Sequence, residues 1–284
     1  MNPGILTNYH CHSRFDDGQG ELKEYVQAAL RKGLRTLGFA GHAPLPFPCT
    51  WTIAPALLPE YLETARRLQS SHSDRIELLV GLEVDYIPEI TAPTSAAVRA
   101  LKLDFTIGSV HFVAGRLADG RLWTADGPPE EMERGVAESF GGDIRKTVEE
   151  YYRRMRVMVE TTPPDIIGHF DLIKKNNRGA KLFSEQAPWY RTTVIQTLEA
   201  VAASPCILEV NTGGIVRGTS GALYPSEWIL AECLKRNIPV MINSDAHRPE
   251  QLDGYYVEAA AILKQIGFRQ LTLIGRDGRR TEAL

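Results

Sequence analysis

The sequence predicts a single-domain α/β barrel. Three observations carry that expectation. Short apolar runs alternate with longer amphipathic ones along the chain, the alternation repeats seven or eight times within 284 residues, and no Gly/Ser- or Pro-rich linker interrupts it. Repeated strand-then-helix units favour a parallel sheet, and this many units in one chain of this length close most naturally into a barrel. An open doubly wound sheet is the competing arrangement. No GxGxxG follows the first strand, so dinucleotide binding has no support.

In order, the first strand, Ile5–His10, ends in His10-Cys11-His12 and an acidic turn, Asp16-Asp17-Gly18; a helix follows over Leu22–Lys32. The second strand, Thr36–Ala40, ends at Gly41-His42 and precedes helix Pro59–Gln69. The third, Ile76–Leu82, runs into Gly81-Leu82-Glu83-Val84-Asp85 before helix Ser95–Leu101. The fourth, Phe105–Val110, ends at Gly108-Ser109-Val110-His111. A stretch from Phe112 to Asp143 then breaks the rhythm, with Asp119-Gly120, Pro128-Pro129 and Gly141-Gly142 reading as loop. A loop of that length in a compact domain is usually functional, and here it is expected to form a lid. Helix Ile144–Glu160 resumes the pattern, followed by strand Asp165–Gly168 ending at His169, helix Trp189–Ala203, strand Cys206–Val210 and helix Ser226–Arg236. The seventh strand, Pro239–Ile242, leads to Asn243-Ser244-Asp245-Ala246-His247. Helix Val257–Ile266 comes next, and a run at Leu271–Ile274 closes or flanks the sheet.

Composition narrows the function. With 43% hydrophobic and 24% charged residues and a net charge of −3, nothing favours nucleic acid or an anionic membrane as a partner. No stretch is apolar for long enough to span a bilayer, and Met1–His10 lacks a secretory leader's pattern, so a cytoplasmic protein is expected. The four cysteines show no CxxC spacing. Cys11 lies between two histidines, but neighbours on a strand point to opposite faces, so it is read as core.

Six of the seven histidines fall at or just beyond strand ends; His72, in Ser70-Ser71-His72-Ser73-Asp74, reads as an exposed turn. In a parallel barrel those ends share one rim. Alternate residues on a strand share a face, so His10 and His12 can grip one ion, and Asp245 and His247 repeat the arrangement. One such histidine is usually structural; six on one rim point to metal. The nine residues His10, His12, Asp17, His42, Glu83, His111, His169, Asp245 and His247 exceed one ion's needs and suit two or three. Neutral imidazole with carboxylate fits Zn²⁺, Mn²⁺ or Fe rather than Ca²⁺.

The order of these motifs resembles the polymerase-and-histidinol-phosphatase (PHP) superfamily, from Asn8 to His247. The stretches Gly81–Pro88, Ile107–Phe112 and Gly168–Lys175 are similar to its stand-alone histidinol-phosphate phosphatases. The resemblance implies a distorted (β/α)7 barrel and a trinuclear centre. One ion would take His10, His12, Glu83 and Asp245; a second would share Glu83 and take His111 and His169; a third would take Asp17, His42 and His247. It also implies hydrolysis of L-histidinol phosphate to histidinol and phosphate, a step of histidine biosynthesis. Glu83, His10, His12, Asp245, His111 and His169 would be catalytic through a metal-bridging hydroxide attacking phosphorus in line.

Arg178 and Arg217, which lie after the fifth and sixth strands, are expected to bind the phosphate through planar guanidinium forks, with His42 beside them. Lys174 and Lys175 have weaker claims. Two other readings stay open. A nuclease-like phosphoesterase would need a basic track, and a non-catalytic metal protein would close its site with fewer ligands. A homo-oligomer is compatible with the sequence.

Overall fold

The computed structural model describes residues 6–284; Ile5 of the expected first strand lies outside them. Strands β1 (Thr7–Asn8), β2 (Thr36–Phe39), β3 (Glu77–Asp85), β4 (Phe105–Ser109), β5 (Ile166–Ile167), β6 (Ile207–Asn211) and β7 (Val240–Asn243) form one sheet in sequence order. Every pairing is parallel. A bridge between Cys11 and Ala246 joins β1 to β7: the His12 amide donates to the Ala246 carbonyl at 2.8 Å and the Ala246 amide to the His10 carbonyl at 3.1 Å. The sheet is therefore a distorted (β/α)7 barrel, not an open doubly wound one.

Helices α1 (Leu22–Lys32), α2 (Leu58–Ser71), α3 (Ala96–Ala100), α4 (Pro129–Phe140), α5 (Ile144–Thr161), α6 (Pro188–Ala202), α7 (Gly213–Val216), α8 (Glu227–Lys235) and α9 (Tyr256–Ile266) connect the strands. Their ends follow local chemistry. Glu21 and Glu24 form a capping box at the start of α1, and Gly33 ends it in the left-handed region, where glycine carries no Cβ penalty. The Ser95 and Asp143 side chains accept the Val98 and Lys146 amides to start α3 and α5.

Two expectations change. The stretch 112–143 is not all loop, because α4 fills its second half. Pro129 stands in the first turn, where its missing N–H is harmless, and Gly141 is the left-handed C-cap. Proline and glycine thus delimit a helix. This segment is anchored by the fully buried Trp123, which lies so close to Gly135 that a Cβ there would strike the indole. The run at Leu271–Ile274 pairs instead with the chain's end as an antiparallel hairpin, β8 (Gln270–Gly275) and β9 (Gly278–Ala283). Arg276 and Arg280 reach Glu77 at the start of β3, and the Tyr9 hydroxyl bonds the Ile274 carbonyl at 2.7 Å. The hairpin therefore closes the barrel's N-terminal end and leaves the opposite mouth open.

Cys11 is buried, as expected, and its thiol donates to the Gly38 carbonyl. His72 caps α2, away from the mouth. Among the described residues no helix is long and apolar enough to cross a membrane.

Candidate metal centre at the barrel mouth

The strands deliver all nine expected ligands to the mouth. Glu83, near the end of β3, is almost fully buried and sits at the centre. Its Oε2 lies 2.9 Å from His42 Nδ1, 3.2 Å from His10 Nε2 and 3.7 Å from His12 Nε2. Its Oε1 lies 2.9 Å from His169 Nε2 and 3.7 Å from His111 Nε2. Asp245 Oδ1 approaches His12 Nε2 at 3.1 Å, His247 Nδ1 at 3.6 Å and His10 Nε2 at 3.7 Å. Asp17 Oδ1 lies 3.3 Å from His247 Nε2 and 3.7 Å from His42 Nε2. Asp245 holds φ at +48°, a region non-glycine residues rarely adopt and one that marks functional sites.

Apart from the hydrogen bond between His169 Nε2 and Glu83 Oε1, these short contacts leave buried polar atoms unsatisfied. His10 Nε2, His12 Nε2, His42 Nδ1 and Glu83 Oε2 are buried with no hydrogen-bond partner, and each such group costs about 1–3 kcal/mol. Ligands about 2.1 Å from a shared cation stand roughly 3.0–3.4 Å apart without pointing at one another. The contacts here run from 2.9 to 3.7 Å and bracket that spacing, so the residues fit a divalent-metal site. Three sets of donor atoms lie within 4.8 Å of one another: His12, Asp17, His42 and His247; His10, His12 and Glu83; and His42, Glu83 and His111. His12 and His42 each enter two sets, so the groups overlap more than the ligand division implied by the resemblance.

Three further carboxylates, absent from the expected site, orient the imidazoles. Glu209 Oε1 lies 2.7 Å from His10 Nδ1, and its Oε2 accepts the His169 amide at 2.9 Å. Asp16 Oδ2 lies 2.7 Å from His12 Nδ1 and also accepts the His42 amide. Asp85 Oδ1 lies 2.9 Å from His111 Nδ1. Such partners fix tautomer and ring direction and make the facing nitrogen a better ligand. Glu209 carries one signal in the sequence, as the lone charge in the apolar run Cys206–Val210; Asp16 and Asp85 adjoin the expected motifs.

Electrostatics follow the same plan. Burial resists charge on Glu83, but His42, His10 and His111 outweigh it and hold the carboxyl well below its ordinary range. Burial likewise opposes protonation of His12 and His111, yet Asp16 and Asp85 lead their neighbours in raising both to about 10.

Above the ligands is a cavity of about 350 Å³, into which Arg217, Lys175, Asp126, Trp51 and Tyr224 also project. Arg217 Nη2 bonds Asp245 Oδ2 at 2.9 Å, and its Nη1 reaches the Asp245 carbonyl. Gly213 makes this approach possible, since a Cβ there would meet Arg217 Nη1 at 2.8 Å. Arg178, expected beside Arg217, does not line the cavity; its guanidinium donates to the Gly218 and Thr219 carbonyls along a neighbouring groove. Lys174 is also withdrawn, buried against Asp171 at 2.7 Å. Lys175 does face the cavity.

A parallel barrel with imidazoles and carboxylates converging on its open mouth defines a metal-dependent hydrolase scaffold. Residues 8–213 match the PHP domain model, and the chain belongs to that family. It is 28% identical over 270 residues to a protein of Deinococcus radiodurans named "Probable histidinol-phosphatase", covering 94% of this chain and 96% of that one. It is 29% identical over 266 residues to the histidinol-phosphatase of Bacillus subtilis, covering 88% and 96%. A crystal structure of the Lactococcus lactis histidinol phosphate phosphatase, complexed with zinc, L-histidinol and phosphate, shares the fold with a TM-score of 0.71 and 21% identity, over 97% of this chain and 99% of that one.

Proposed function

We propose that this chain is a histidinol-phosphatase, hydrolysing L-histidinol phosphate to L-histidinol and phosphate. The observation that carries the reading is the cavity directly above Glu83, whose size and polarity suit a small phosphate monoester. Relatives with that activity in their names align over nearly the whole chain.

His12, His42 and Glu83, each of which belongs to two of the donor sets, would together with the other candidate ligands hold two or three ions among Zn, Fe and Mn. Bound there, divalent cations supply acidified water near neutral pH and offset the charge of a phosphoryl group. The chain's own residues do the rest. Asp16, Asp85 and Glu209 hold the imidazoles in place so that no reorganisation is needed when substrate arrives. Arg217, pinned by Asp245, presents a fixed positive charge to the phosphate. Trp51 packs edge-on to His42 and His111, with ring centroids 4.7 and 5.3 Å away, and shields that wall from water.

The test is phosphate release from histidinol phosphate, p-nitrophenyl phosphate and single-stranded DNA by protein loaded with each metal in turn. Histidinol phosphate should be turned over fastest. Failure to cleave it under every loading, or preferential cleavage of DNA, would overturn the proposal.

A further inference from the structure

Of the carboxylates around the cavity, Asp126 stands apart. Asp16, Asp85 and Glu209 each hold an imidazole, Asp17 and Glu83 belong to the donor sets, and Asp245 contacts His10 and His12. Asp126 does none of these. It projects into the same cavity with its side chain a quarter exposed, and its cationic partner is Lys175, whose Nζ lies 3.2 Å from Oδ2 and 2.7 Å from the Asp126 carbonyl.

The backbone on both sides of Asp126 is clamped. Asn176 donates its side-chain amide to the Ala125 and Gly127 carbonyls, and the Ala125 amide donates to the His111 carbonyl at 2.8 Å. Two consecutive residues, Lys175 and Asn176, therefore fix both the charge and the backbone of this position. The His111 bond ties it to the metal-facing strand end. Such over-determination is how proteins hold a recognition group in place.

A fixed carboxylate is a poor neighbour for a phosphate dianion, since like charges side by side suppress binding by wrong partners. Lys175 offsets part of that charge in the free protein, and a ligand removes the remaining penalty by bringing its own cation alongside the phosphate. We infer that Asp126 is a specificity-determining residue that accepts the protonated amine of an aminoalkyl phosphate, with Lys175 holding its charge in the free protein. This deepens the histidinol-phosphatase reading and rests on it: histidinol phosphate carries an ammonium on the carbon next to the ester methylene. Amine-free phosphate esters meet Asp126 as repulsion.

The experiment compares Asp126→Asn with the parent protein, both zinc-loaded, on three substrates: histidinol phosphate, O-phosphoethanolamine and p-nitrophenyl phosphate. Losing a charge-assisted hydrogen bond should raise KM for the two amine-bearing esters about 10- to 100-fold, with kcat moving less. KM for p-nitrophenyl phosphate should fall, because the repulsive charge is gone. A second variant, Lys175→Met, should retain the preference for amine-bearing esters. Equal losses on all three substrates would make Asp126 a structural latch with Lys175 and overturn the inference, as would unchanged kinetics. If the parent protein prefers phosphoethanolamine and refuses histidinol phosphate, the proposed substrate fails while the role of Asp126 stands.

Discussion

Glu209 and His10 form a fully buried pair at 2.7 Å, at the bottom of the cluster, through the imidazole nitrogen that faces away from Glu83. The same carboxylate accepts the His169 amide and the Asn211 and Asn243 side-chain amides, so one side chain sets the direction of two ligands on different strands. Replacing it by Gln keeps the shape but removes the charge that fixes the His10 tautomer. Glu209→Gln should weaken metal affinity about 10- to 100-fold, as measured by competition with a chromophoric chelator. Parent-like affinity would exclude an orienting role.

Glu83 contacts five histidines from four strand ends. Glu83→Ala is expected to abolish turnover and to lower the bound-metal count, read together by elemental analysis and phosphate release. Full metal content with full activity would refute a metal-holding role for it.

Arg217→Ala should lower kcat/KM about 10- to 100-fold, the range for a lost charged hydrogen bond. Arg217→Lys should recover little of it, because an ammonium cannot replace a fork that already spans Asp245. Recovery by lysine would mean that Arg217 acts only as a point charge.

Burial pulls His12 and His111 down from 6.5, but Asp16, Asp85 and their neighbours lift both to about 10. At pH 7 the metal-free protein therefore holds protons on ligands that a cation must displace. Adding Zn²⁺ to weakly buffered, metal-free protein should release protons, and affinity should climb with pH. For the metal-free fold the sign is opposite. A raised histidine value stabilises fully below about 6.5, and that stabilisation is lost as pH rises through about 10, so Tm should decline across that window. Zinc uptake without proton release would contradict these protonation states.

Gly135→Ala would push its new methyl into Trp123. Overpacking of this kind costs about 1–3 kcal/mol, readable by thermal unfolding. The anchored indole also bears on the expected lid. Any phosphate-dependent change in proteolysis of 112–143 should fall outside Trp123 and α4, near the exposed 118–121 turn; no change at all would count against a lid.

The barrel and the nine mouth residues were readable because both rest on short-range pattern: apolar runs end in His, Asp or Glu, and parallel strands must share a rim. Helix α4 was not readable, because Pro128-Pro129 and Gly141-Gly142 punctuate a helix as readily as a loop. Glu209 is illegible for another reason. A charge inside an apolar strand gains meaning only when His10, 199 positions away, is folded against it. Arg178 departs from expectation because the sequence shows which strand it follows but not the Gly218 and Thr219 carbonyls that take its guanidinium.

The first and last strands meet through Cys11 and Ala246, each of which stands between two of the ligands, His10 and His12 on one side and Asp245 and His247 on the other. The join that completes the ring is thus also where four of the candidate ligands cluster. Cations held there would tie the two ends of the sheet together, so metal loading should raise the Tm and protect the amides of Cys11 and Ala246 from hydrogen exchange.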